Sequence, residues 1–180
     1  MKLSKKTKIC NYIYIIGIVL IGLGRYFAEY FDSTYLSFLI FIFMDALWVS
    51  QVRRRIEHPK ERKYLCWAGL FCALFFFLKT SKYTFIESNT ALSRFFWYMY
   101  YVPQTFTILM IYMASLYVGK PVSYKPKKLY RILFVIAGIL CLLILTNDYH
   151  ELAFDFVGDW NDEYNHGIVY YLSILWVIVM

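Results

Sequence analysis

Charge is scarce in this chain. Asp, Glu, Lys and Arg make up 17% of its 180 residues, where an ordinary soluble domain has about a quarter. Acids are scarcest, 12 against 19 basic residues. That scarcity leaves several uninterrupted apolar runs of 15 or more residues, which excludes an ordinary soluble domain. Missing motifs exclude more. There is no CxxC and no Cys/His ligand spacing, hence no zinc site or disulfide framework. Cys10, Cys66, Cys72 and Cys141 all lie in or beside apolar runs and read as small buried hydrophobes. The chain also has no HExxH, no GxSxG, no glycine-rich phosphate loop and no paired carboxylates within an apolar run. The first apolar run lacks a small-x-small cleavage site and reads as a retained span, not a signal peptide.

What is present is hydrophobicity, 61% of the chain, and aromatic residues, 22%. The expected fold is all-α, a polytopic transmembrane helical bundle. Six spans are visible, at about 9–24, 34–51, 64–80, 91–118, 129–146 and 168–180. The last is too short to cross a ~30 Å hydrocarbon core and reads as truncated, so the sequence is expected to be a fragment of a longer protein. Residues 91–118 organise the rest. After Arg94 they run 24 residues without a charge, with Trp97, Tyr98, Tyr100 and Tyr101 clustered ahead of Pro103. Pro103 has no N–H, and its ring crowds the carbonyl four residues back. A kink is therefore expected near Met99 to Pro103, beside a tyrosine wall that could line a pocket.

The net charge of +7 has a distribution that argues against nucleic-acid contact. Fifteen of the 19 Lys and Arg fall in three segments: residues 1–8, the loop 52–63 and the connector 119–131. The alternate set holds only Arg25, Lys79, Lys82 and Arg94, and 147–167 has none. The positive-inside rule then puts the N-terminus in the cytoplasm and the acidic loop after the fifth span outside. The basic loop RRRIEHPKERK reads as a topology determinant, and it could also dock on acidic headgroups.

Few residues could carry chemistry. Asp45 is the one acid well inside a span, where it is either a ligand or ion contact or a hydrogen-bonded structural group. Asn147, Asp148, His150 and Glu151 gather where the fifth span ends. They could form an outward-facing site for a small polar or cationic ligand, or simply cap a helix before a solvated loop. In 155–166, Trp160 and Tyr164 are expected at the interface. No metal and no cofactor are expected.

Certain motifs occur in a recognisable order: S50-Q-V-R-R-R-I, then R94-F-F-W-Y-M-Y-Y-V-P103, A114-S-L-Y-V-G-K-P, L145-T-N-D-Y-H-E-L-A-F154 and D162-E-Y-N-H-G-I-V-Y-Y-L172. From about residue 45 onward the chain resembles the N-terminal seven-transmembrane input domain of bacterial histidine kinases, which also precedes LuxR-type regulators. The resemblance implies a sensory module in the bacterial cytoplasmic membrane, spanning 1–180, with no enzymatic activity of its own. The implied partners are a small ligand of unknown identity, the lipid bilayer, a cytoplasmic output domain not present in the sequence, and a possible homodimer. Tyr98, Tyr101, Asn147, Asp148 and His150 match motif positions and are candidate signal-site residues, with Pro103 as hinge. Glu151 and Asp155 would make the outer mouth more acidic than is usual in that family. Two other classes stay open: a small transporter or ion-coupled carrier using Asp45 and Asp148, and a membrane enzyme with His150 as base.

Overall fold

The computed structural model describes residues 15, 16, 19, 33–84, 91–156 and 164–180. Most of the expected first span, the links 85–90 and 157–163, and Trp160 lie outside the described residues. Ile15, Ile16 and Val19 of that first span are helical and exposed.

Helix α1 spans Ser33–Arg55 and ends on Arg53, Arg54 and Arg55, a placement favoured by the partial negative charge of a helix C-terminus. Helix α2 spans Pro59–Thr84. Proline suits its first position, where no intrahelical donor is needed, and His58 Nδ1 accepts the Glu61 N–H at 3.3 Å. Gly69 sets how closely the pair packs. A Cβ there would collide with Val49 and press on Trp48, so α1 lies on bare α2 backbone, as small residues allow between membrane helices.

The segment 91–118 is helical but interrupted. Helix α3 spans Ala91–Met99, and α4 spans Tyr101–Ser115. The break falls at Tyr100, in the stretch where the sequence predicts a kink. Its cause is Pro103, which cannot return a hydrogen bond to the Met99 carbonyl and sits instead in the first turn of α4. Past Ser115 the chain turns and leaves through Gly119 at φ +68°, a left-handed conformation that costs glycine little.

A 3-10 turn, Lys128–Tyr130, leads into α5, Arg131–Leu145. A single turn, α6 (Asn147–His150), caps α5, and α7 spans Ile168–Val179. Helices α1, α2, α4, α5 and α7 pack successively. The larger core joins Ala68 of α2, Leu109 and Met110 of α4, Ala137 and Leu140 of α5, and Trp176 of α7. Trp176 Nε1–H donates to the Thr105 carbonyl at 3.3 Å, fixing α7 against α4.

Two expectations need adjustment. The molecule is mostly helical, but residues 154–166 contain a two-stranded antiparallel hairpin. Its strands are β1 (Phe154–Phe156) and β2 (Tyr164–His166), and Phe154 lies opposite His166. Of the six expected spans, two helices among the described residues are long and apolar enough to cross a membrane: Pro59–Lys82 and Lys128–Leu145. The fourth span is divided at Tyr100 into pieces of 9 and 15 residues, and Ile168–Val179 is a shorter apolar helix.

Candidate functional site

One end of the bundle carries a polar network built around α6. Thr146 closes α5 by returning its hydroxyl to the Leu142 carbonyl at 2.7 Å. The chain then makes one turn and reverses at Glu151, whose φ of +54° is unusual for a residue with a side chain. That reversal aims Asn147 inward and leaves Asp148 at the rim.

Asn147 is fully buried and fully engaged. Its amide donates to the Phe154 carbonyl at 2.7 Å and to the Tyr98 hydroxyl at 3.2 Å. Its carbonyl oxygen accepts the Ala153 N–H at 2.8 Å and the Phe154 N–H at 3.0 Å. One side chain thus satisfies the backbone that begins β1. Asn147 also touches α3 through Tyr98, 49 residues away in sequence.

Asp148 faces the other way, with half its side chain exposed. One carboxylate oxygen accepts the Tyr98 hydroxyl at 2.8 Å and an Arg94 guanidinium N–H at 3.1 Å. Tyr98 is therefore the hub. It is almost fully buried, accepts from Asn147 and donates to Asp148. Charge-assisted bonds of this kind are stronger than neutral ones.

The aromatic residues complete the cap. Phe154 is fully buried and lies 4.8 Å from the Trp97 ring, 5.5 Å from Tyr101 and 5.6 Å from Tyr170. Phe154 packs against Trp97, Tyr98 and Tyr101 and fills the space in front of them. The Arg94 guanidinium lies 4.3 Å from the centre of the Phe156 ring, and Lys82 lies 5.1 Å from Trp97. Gly167 closes the turn into α7 by approaching the Leu152 carbonyl so closely that a Cβ would overlap it. Its N–H donates to the Ala153 carbonyl at 2.9 Å.

His150 is half-buried beside this network. Its Nδ1 accepts the Leu152 N–H at 3.0 Å, and its Nε2 lies 3.2 Å from the Thr146 hydroxyl oxygen. The Thr146 proton is already given to Leu142, so all three bonds are satisfied only with the imidazole proton on Nε2. Glu151 is exposed at the reversal.

The structure therefore brings together Tyr98, Tyr101, Asn147, Asp148 and His150, with Glu151 at their rim. It does not bring in Asp45, which lines a separate groove of about 690 Å3 between α1 and α2 with Arg53, Arg54 and Lys63. Pro103 is buried one turn along from Tyr98. Sequence reasoning missed Arg94, Phe154 and Gly167 as site residues. Arg94 alone left a signal, as the sole charge at the start of an otherwise uncharged run. Among the described residues no three His, Cys, Asp or Glu side chains gather to hold a metal.

Neither the curated proteins nor the solved structures contain a match to this chain. A family model, the N-terminal 7TM region of histidine kinase, matches residues 33–180, which include every residue of the network, and the chain belongs to that family.

Proposed function

We propose that this membrane protein is a signal-input domain whose sensing element is the Asn147–Asp148 cap. A small extracellular or membrane-borne ligand that donates hydrogen bonds or carries positive charge competes with Arg94 and Tyr98 for Asp148. The observation that carries the reading is the pair of hydrogen bonds from α3 to Asp148. It ties the shorter half of an interrupted helix to the turn that caps α5, across 50 and 54 residues of sequence. Releasing it frees α3 to move relative to α4 at Tyr100 and Pro103. Ligand then acts by shifting the population between latched and released arrangements. A covalently attached or associated kinase or DNA-binding output in the cytoplasm reads that shift, and the chain itself catalyses nothing.

The test uses the full kinase in cells with a transcriptional reporter. Asp148→Asn keeps the shape but loses the charge, and His150→Ala unseats the Leu152 amide. Both are expected to insert normally and to lose the signal response, with Asp148→Asn fixed at one output level. Normal signalling by both would sink the assignment. The carrier alternative would use Asp45 with Asp148, and it draws no support from their placement in separate parts of the bundle.

A further inference from the structure

At the opposite end of α5 from Asp148 lies a second pocket, of about 380 Å3. Lys60, Lys125, Lys127, Lys128 and Arg131 line it, and no acid does. Among the described residues the one ion pair is Arg94–Asp148, so none of these five cations pairs with a carboxylate of those residues. Five positive charges around one concavity repel one another, and an anion relieves that repulsion.

Lys125, Lys127, Lys128 and Arg131 are exposed, but they stand around a structured aromatic floor. Tyr117, only 3% exposed, forms its floor with Met113 and Phe134. Lys60 Nζ lies 5.6 Å from the Tyr117 ring, and Tyr64 stacks on that ring at 5.9 Å. His58 fastens the two walls, with its ring 5.2 Å from Tyr117 and its Nε2 within 3.4 Å of the Pro121 carbonyl. The 3-10 turn that starts α5 opens at Lys127, whose carbonyl accepts the Tyr130 N–H at 3.1 Å.

The geometry points to a phosphate-binding site whose occupant is the headgroup of an anionic phospholipid. Past Arg131, α5 exposes Ile132, Val135, Ile136 and Ile139. A lipid whose phosphate sits among Lys125, Lys128 and Arg131 can lay its acyl chains along that strip. Basic pockets between membrane helices hold headgroups in this way. Occupancy would brace the connector between α4 and α5, the opposite end of the helix that carries the cap.

The test uses the whole chain, delipidated in a neutral detergent, with thermal melting read by tryptophan fluorescence. Short-chain phosphatidylglycerol, short-chain phosphatidylcholine and inorganic phosphate are titrated separately. Phosphatidylglycerol is expected to raise Tm at far lower concentration than phosphatidylcholine. The triple variant Lys125→Gln, Lys128→Gln, Arg131→Gln should weaken that effect at least about 10-fold, since it removes three cations near the headgroup. Arg53→Gln with Arg54→Gln, in the other basic groove, should leave it nearly unchanged. Inorganic phosphate matching phosphatidylglycerol would support the site with a free anion as its source. Equal effects of the two lipids, no effect of either anion, or equal losses in both sets of variants would overturn it. The comparison of ligands on the unsubstituted chain stands even if the triple variant fails to fold.

Discussion

Asn147 uses both amide hydrogens and both carbonyl lone pairs on the protein. Its role is to hold the cap in shape, while its neighbour Asp148 is the residue left open to exchange partners. This division gives different expectations for the two positions. Asn147→Ala strands two buried backbone N–H groups and a carbonyl, each costing about 1–3 kcal/mol. It should therefore lower the melting temperature sharply, with a loss of at least about 3 kcal/mol. Asp148→Asn keeps an oxygen to accept from Tyr98 and weakens an ion pair whose Asp side is half exposed, so it should lower the melt less than Asn147→Ala while changing the signal. Thermal melting of the two purified variants checks the pair. An Asn147→Ala chain melting with the unsubstituted one would deny the keystone role. Gly167→Ala belongs with Asn147→Ala, because the new methyl would meet the Leu152 carbonyl and push β2 away from β1.

At the scale of elements, the interrupted helix is where a local change at the cap can become a movement. α3 is tied to the cap by Arg94 and Tyr98, whereas α4 is packed into the main core through Leu109, Met110 and Met113. Pro103→Ala restores an N–H that can reach the Met99 carbonyl and fuse α3 with α4. Gaining that bond should stabilise the chain by about 1 kcal/mol and slow amide exchange at 100–104, yet blunt the response to signal. Unchanged exchange together with a full response would remove the hinge. This break was legible in the sequence, because the consequence of a proline in an apolar run is local. Helices α2 and α5 were legible for the same reason, as long runs bounded by charge. The hairpin was not. FDF and YNH are three residues each, too short for a two-residue period to show, and their pairing spans a separate stretch of chain. The cap's residues were legible as a polar group at a helix end, but their roles were not. Nothing in the order Asn147–Asp148 tells which side chain turns inward. That is decided by the reversal at Glu151 and by Tyr98, which arrives from another helix.

Across the whole molecule, α5 separates two chemically opposite ends. From Lys128 to Asn147 is about 28 Å of helix, close to the thickness of a bilayer's hydrocarbon core. One end holds Asp148, Glu151 and Asp155; the other holds the five cations of the second pocket together with Arg53, Arg54 and Arg55. Since positive segments stay in the cytoplasm, the cap should face outside and the basic pocket should meet the inner leaflet. Tyr149, 91% exposed on α6, and Ser123, exposed in the connector, are suitable reporters. With Cys10, Cys66, Cys72 and Cys141 replaced by alanine, Tyr149→Cys should react with a membrane-impermeant maleimide on intact cells. Ser123→Cys should react only after the membrane is opened. The reverse pattern would place the cap in the cytoplasm, so an extracellular ligand could not reach Asp148. It would also take the basic pocket away from the leaflet where cytoplasmic anionic headgroups lie. One labelling experiment therefore bears on both proposed sites, because a single helix carries them at its two ends.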